Sequence, residues 1–415
     1  MMNLREEAYS ILKKVMCDAQ FSNLSLRKLK ETYSAENMAF ITQLVYGTLE
    51  NDLFVRYQWS IYCDKMPEEA LAVLLDMAAY ELLFLNSAHY AVINEAVELS
   101  KSFPHKRYAS FVNSVLRKIS QNGRQEVNLA NKEEAMSVTY SVPLWIIKLW
   151  QKQYGEETAE KILKALHTPA KQYLRVNTLK VSVEDLIRDD PKFTAYKEEA
   201  VTYEGNYLRT DYFKNGCIFP QDYHSQLVST FADLKNDMKI LDLCAAPGTK
   251  TLHMSALLHN TGSITAVDLY PKRAELIKEG ALKAGCTNIE VLAFDGREVK
   301  QHFPIGSFDA VFVDAPCSGL GVLRHKPEIK RTVTPEGLDA IEMIQRELLD
   351  ASAEMVKPGG SLIYSTCTLN KKENEKQADR FLLLHPEFEM IKKQTLFPFE
   401  DEADGFFMVK LQKKQ

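Results

Sequence analysis

The sequence predicts a multidomain chain: an all-α bundle (residues 1–125), a small α+β segment (126–230) and a C-terminal doubly wound, Rossmann-like α/β domain (231–415). Three observations predict it. A helical apolar period fills the first block, a polar stretch interrupts it, and further on short β-rich runs alternate with helical stretches.

In the first block Leu71, Leu75, Ala78, Leu82 and Leu85 recur at i, i+4, i+7, i+11 and i+14. Val92, Ala96 and Leu99 keep that period, and Val112, Val115, Leu116 and Ile119 repeat it. Successive amphipathic helices of this kind pack as a bundle. QNGRQEVNLANKEE (121–134) is polar, contains Asn-Gly and breaks the period, so it reads as a linker. Beyond it, SVPLWIIKLWQKQYG predicts a helix opened by Ser141 with Pro143 in its first turn, and YLRVNTLK (173–180) has β character.

Then the period changes. KILDLCA, SITAVDL, IEVLAFD, FDAVFVDA and SLIYSTC are separated by helical stretches such as RAELIKEGALKAG. Strands apolar along their whole length are buried on both faces, as in a parallel sheet flanked by helices. In such sheets ligands sit at the carboxyl ends of the strands, where the chemically distinctive residues of this chain fall.

Composition sets bounds but names no partner. The 415 residues are 46% hydrophobic and 26% charged, with a net charge of −5, so any nucleic-acid surface must be a local one. The seven cysteines form no CxxC pair, and no metal-ligand spacing is present. The charged N-terminus MMNLREEAY lacks the apolar core of a signal peptide. The most apolar run, LAVLLDMAAYELLFL, contains Asp76 and Glu81 and is not a membrane span. A cytoplasmic protein is expected.

ILDLCAAPGTKT (240–251) reads as strand, tight turn and helix. Small residues at Ala245, Ala246 and Gly248 let a ligand approach the backbone, and Pro247 stiffens the turn. The glycine pattern is not GxGxxG, and Asp242 at the strand end would repel a pyrophosphate while suiting a cationic, amino-acid-bearing ligand. The next strand ends in Asp268, placed to accept both hydroxyls of a ribose, and the third is followed by Asp295, placed for an adenine amine. A lone strand-end aspartate is commonly a helix cap; a succession of them favours an adenosine-type ligand. S-adenosylmethionine fits better than a dinucleotide.

DAPC and STC each place a thiol just past a buried strand, at Cys317 and Cys367. Carbon 5 of a pyrimidine is a poor nucleophile, but a thiolate added at carbon 6 makes it enamine-like and able to accept a methyl group. Asp314, at the strand end, could stabilise the adduct through the ring edge. Cys17, Cys63 and Cys286 carry no such context and read as small buried hydrophobes.

CAAPGTKT, DAPCSGLGVLRHKPEIK, YSTCTLNKKENE and the closing DGFFMVKL resemble, in order, the motifs of the RNA 5-methylcytosine methyltransferases, and FPQDYHSQLV (219–228), just ahead of the cofactor strand, resembles another of them. LVYGTLEN, HYAVINEAVELSK and FVNSVLRKI resemble stretches of the NusB-type RNA-binding domain, and the combination is that of the RsmB (Sun/Fmu) family. The resemblance spans nearly the whole chain. It implies an S-adenosylmethionine-dependent enzyme that methylates carbon 5 of a cytosine in 16S ribosomal RNA, free or in an early assembly intermediate. A monomer with no DNA or membrane partner is expected, and a tRNA or another structured RNA is the alternative substrate. Cys367 is then the nucleophile and Cys317 assists release, with Asp314 beside them. Cys244, Ala245, Ala246, Pro247, Gly248, Thr249, Lys250, Asp268, Asp295 and Asp314 would line the cofactor. Thr249 stands where the family usually has a second glycine, which puts a side chain close to the ligand. The basic loop GVLRHKPEIKR (321–331) is a candidate phosphate contact. A Rossmann oxidoreductase would need a different glycine pattern and leaves both thiols unexplained; a retired enzyme acting as an RNA adaptor would not need its acids and thiols.

Overall fold

A computed structural model describes residues 3–415 apart from 19, 21, 30 and 106. The chain divides into two compact units, Met1–His167 with Leu323–Val333, and Thr168–Val322 with Thr334–Gln415.

The first unit is helical. Its central helix, Glu69–Phe84, is buried on every side from Leu71 to Leu82, so its apolar period reflects a core helix rather than a surface one. Helices Leu4–Asp18, Ala35–Glu50, Asp52–Ser60, His89–Ser100 and Arg107–Asn122 share one apolar core with it. The two acids that interrupt its apolar run are buried and paired. Arg5 forks onto Glu81 at 2.8 and 2.7 Å, and Asp76 accepts from Arg56 at 2.6 Å and from the Trp59 indole at 2.7 Å. Burial still lifts the Asp76 carboxyl to about 6 against the pull of Arg56.

The polar stretch 121–134 is not a free linker. Gln58 takes both backbone groups of Gln125, at 2.7 and 2.8 Å, and pins it to the bundle. The helix predicted after it is present as Leu144–Tyr154, but Ser141 does not cap it. Instead the Ser141 hydroxyl accepts the Phe54 N–H at 3.0 Å, at the free N-terminal turn of another helix.

The second unit holds two sheets. Strands β1 (Leu174–Val176), β2 (Phe193–Ala195), β3 (Ala200–Tyr203) and β4 (Ile218–Pro220) form an antiparallel sheet of order β2-β3-β1-β4. Strands β5 (Lys239–Leu243), β6 (Ser263–Asp268), β7 (Ile289–Ala293), β8 (Phe308–Asp314), β9 (Val356–Thr366), β10 (Phe388–Leu396) and β11 (Phe406–Lys413) form a larger one. Its order is β10-β11-β9-β8-β5-β6-β7. The β5 to β9 strands are parallel, as their apolar runs predict, while β11 lies antiparallel to both β9 and β10. The sheet is therefore mixed.

This order positions the site. From β5 the chain winds outward through β6 and β7, then returns to β8 on the other side of β5. The strand order thus reverses between β5 and β8, the switch point at whose carboxyl ends sheets of this kind bind ligands.

Candidate active site

The turn after β5 is built for close approach. Ala245 and Ala246 are buried, and Gly248 begins the helix Thr249–Leu257 with φ 100°. A Cβ on Gly248 would lie 3.2 Å from the Ile277 Cα, so only glycine turns the chain here without displacing the next helix. Asp268, at the end of β6, is buried and accepts the Ala246 N–H at 3.2 Å and the Tyr270 N–H at 3.1 Å. Asp295 caps the short 3-10 helix Gly296–Gln301 and is forked by the Arg297 guanidinium, with Nη2 at 2.6 Å. The bland expectation for a strand-end aspartate, that it is a cap, is thus realised at Asp295, and Arg297 occupies most of its acceptor capacity.

Asp242 has a partner within the protein. It is buried, accepts the Thr251 hydroxyl at 2.6 Å, and burial lifts its carboxyl to about 7. It ties the end of β5 to the helix that follows the turn. Cys244 records the local field: burial, then the charges of Asp314, Asp268 and Asp242, push its thiol up to about 12. An apolar turn ringed by carboxylates fits a ligand with a ribose, a sulfonium and an ammonium better than a phosphate-bearing one. The residues present therefore fit S-adenosylmethionine: Cys244 to Thr249 along the backbone and Asp268 as acceptor, with Asp295 already engaged by Arg297.

Lys250 reaches across to the end of β8. Its ammonium lies 2.7 Å from Asp314 Oδ2 and over the Phe406 ring. Burial would lower it, but Asp314 outweighs burial and holds it protonated. The other Asp314 oxygen accepts the Ser365 hydroxyl at 2.8 Å.

The parallel register brings the two thiols together. Asp314 on β8 faces Ser365 on β9, and the strands end three residues before Cys317 and one before Cys367. Cys317 Sγ and Cys367 Sγ are 3.3 Å apart. The hydrogen bond to Cys367, then burial, raise the Cys317 thiol well above its ordinary value. Cys317 therefore keeps its proton beside the Cys367 sulfur. Gly321 closes the loop behind the pair: its N–H donates to the Cys367 carbonyl at 3.1 Å, and a Cβ there would meet the Gly405 carbonyl at 2.1 Å.

Two expectations are corrected. The loop 321–331 was read as a candidate phosphate contact, and for Lys330 and Arg331 that reading is corrected; Leu323–Val333 belongs to the helical unit. Lys330 is buried there 2.9 Å from Asp52, Arg331 lies 2.6 Å from the same carboxylate, and Glu328 accepts the Ser22 hydroxyl at 2.9 Å. Those two cations are taken by protein acceptors. Cys17, expected inside, is exposed, while Cys63 and Cys286 are partly buried.

Sequence reasoning also passed over Glu373, inside the quoted YSTCTLNKKENE, because an acid in a charged run reads as a solvated one. It is wholly buried and hydrogen-bonded to the residues around both thiols.

An α/β sheet of this order, with its acids and thiols at the strand ends, defines a Rossmann-like methyltransferase domain. Sequence comparison agrees: residues 229–412 match the 16S rRNA methyltransferase RsmB/F family, 2–121 the NusB family and 142–189 the RsmF/B-like ferredoxin-like domain. The chain is 35% identical to the probable ribosomal RNA small subunit methyltransferase B of Bacillus subtilis, over 99% of each chain. It is 29% identical to the ribosomal RNA small subunit methyltransferase B of Serratia proteamaculans, over 99% of this chain and 98% of that one. Among solved structures PH0851 superposes with a TM-score of 0.81 at 25% identity, over 100% of this chain and 99% of that one. The chain belongs to the RsmB/F methyltransferase family, with a NusB-like helical region ahead of the ferredoxin-like and catalytic parts.

Proposed function

We propose that the protein transfers a methyl group from S-adenosylmethionine to carbon 5 of a cytosine in 16S ribosomal RNA, through a covalent bond between Cys367 and carbon 6. The observation that carries this reading is the 3.3 Å contact between the Cys317 and Cys367 sulfurs, beside the Lys250–Asp314 pair. A methyltransferase acting on nitrogen or a hydroxyl has no use for a thiol pair.

In this reading Cys367 adds as thiolate to carbon 6, forming the C–S bond and breaking the 5,6 double bond. Asp314, held by Lys250 and Ser365, hydrogen-bonds the amino edge of the ring and stabilises the adduct. When bound, S-adenosylmethionine supplies an electrophilic methyl group to carbon 5. Alkylation of Cys367 removes the main cause of the raised Cys317 thiol, its hydrogen bond to the Cys367 sulfur. Cys317 then releases its proton to water and, as thiolate, takes the proton from carbon 5. The double bond re-forms, the C–S bond breaks, and Cys367 leaves as thiolate. One proton is released per turnover, and the starting pair is restored.

The target base must leave its stack to reach a thiol and a cofactor in one site, so a looped or transiently opened RNA segment is the substrate. We assign the helical region 1–125 an RNA-binding role, in keeping with its NusB-family match. Bisulfite sequencing of 16S ribosomal RNA from a deletion strain tests the reading: one cytosine protected in the parent should become convertible. An unchanged methylation pattern would move the substrate to tRNA or another structured RNA.

A further inference from the structure

We infer that Glu373 is the positioning residue of the thiol pair: its buried carboxylate ties the Cys317 loop to the turn after Cys367 and keeps the two sulfurs in contact through turnover. The inference rests on the two-thiol reading above and gives a role to a side chain that reading does not use.

Glu373 is 0% exposed. Its carboxylate accepts the Ser318 N–H at 2.8 Å, the Ser318 hydroxyl at 2.5 Å, the Asn370 amide at 2.9 Å and the Gln345 amide at 3.1 Å. These donors come from three segments: the residue after Cys317, the turn after Cys367, and the long helix Pro335–Met355. None is a cation. An acid removed from water without a cation costs several kcal/mol unless its acceptor sites are filled, which makes it a poor choice for stability alone.

The clamp is closed on both sides. Gln345 also donates to the Pro316 carbonyl at 2.9 Å, so Cys317 sits between two residues tied into the same cluster. The Ser318 and Thr368 hydroxyls are 2.7 Å apart, and the Leu320 N–H donates to Thr368 at 3.2 Å. The neighbours of each cysteine are thus linked through Glu373 and, beside it, through the Ser318–Thr368 contact. A displacement of about 1 Å in such a pair costs roughly 10²-fold in rate.

The charge of Glu373 acts as well. The Cys317 thiol is raised by Cys367 first, then by burial, and then by Glu373; the Tyr364 phenol also feels Cys317, and Lys250, paired with Asp314, feels Cys367. Once Cys367 is alkylated, burial and Glu373 are what still oppose ionisation of Cys317. The carboxylate therefore adds to burial in raising the pH at which release begins.

The test uses the full chain carrying Glu373→Gln, which keeps one acceptor oxygen and loses the charge, or Glu373→Ala, which removes the clamp. One readout needs no RNA. Diamide converts two adjacent thiols to a disulfide and takes up both hydrogens, and peptide mapping follows the joining of Cys317 to Cys367. Dividing that rate by the rate of iodoacetamide alkylation of the same thiols corrects for ionisation. The ratio should fall roughly tenfold or more in both variants, with S-adenosylmethionine binding within about twofold of native. The second readout is the covalent protein–RNA species. It should accumulate in Glu373→Gln as in Cys317→Ala, and its breakdown should reach half its maximum at lower pH than in the native protein. A corrected disulfide rate and a breakdown profile that both match the native protein overturn the inference. If Glu373→Ala does not fold, Glu373→Gln decides alone. If no variant traps RNA but the corrected disulfide rate still falls, the positioning role stands and the cytosine chemistry is wrong.

Discussion

Lys250 Nζ lies 2.7 Å from Asp314 Oδ2, which joins the helix after β5 to the end of β8 across the switch point. The lysine neutralises and orients a carboxylate that, in the proposed reading, must face the base. Lys250→Met is therefore expected to slow methyl transfer by roughly 10²-fold at saturating S-adenosylmethionine. Single-turnover rates check this. A variant with a native saturated rate and weakened cofactor binding would place Lys250 with the cofactor turn instead.

The two thiols should leave different traces. Without Cys367 no bond to RNA forms, and turnover should stop. Without Cys317 addition and methyl transfer proceed but release stalls, so the enzyme stays attached to its product. In a denaturing gel Cys317→Ala should show a slow protein–RNA band that Cys367→Ala and the double variant lack. DNA cytosine-5 enzymes use a Pro-Cys thiol as nucleophile, and Pro316-Cys317 offers that alternative. A band that needs Cys317 and survives loss of Cys367 would reverse the two roles.

Asp268 is buried at the end of β6 with backbone donors on both oxygens, so its carboxylate is fixed before any ligand arrives. Asp268→Ala should weaken S-adenosylmethionine binding by about 1.5–3 kcal/mol, the worth of hydrogen bonds to a charged acceptor. Calorimetry reads this directly, and RNA affinity should stay as it was. An unaltered dissociation constant would remove Asp268 from the cofactor site.

Asp52 anchors Lys330 and Arg331 in the helical unit. Burial would raise its carboxyl, but the two cations and their hydrogen bonds hold it below the usual range. Losing it leaves a buried lysine with the Glu50 and Ser141 carbonyls but without its paired carboxylate, so Asp52→Ala should cost about 3–5 kcal/mol. A depressed folded-state pKa stabilises above the unfolded value, about 3.9, and the gain is lost as pH falls through the folded value. The native advantage over Asp52→Asn in calorimetric unfolding should therefore be full at pH 7 and shrink below about pH 4. An advantage that is the same at both pH values would mean the pair contributes packing alone.

The sequence by itself determined the classes of element and the strand ends at which chemistry falls. Strand periodicity and helix periodicity are local, so the switch from one to the other shows in the order of residues. The β5 to β9 strands, the turn at Gly248 and both cysteine positions were legible for that reason. The clustering of Asp268, Cys317 and Cys367 at one edge follows from the rule that ligands sit at strand carboxyl ends.

Only the tertiary structure decided which partners those side chains meet. Burial of Glu373 depends on three segments, from Ser318 to Asn370, folding over it, and nothing in KKENE distinguishes it from a solvated charge run. Lys330 and Arg331 read as free cations until Asp52, some 280 residues earlier, comes within 3 Å of both. Asp295 and Asp268 look alike in sequence, yet one is forked by Arg297 and the other is held by backbone N–H groups. Hydrogen bonds and ion pairs have short range and fixed geometry, so their identity is settled by the packing that brings distant segments together.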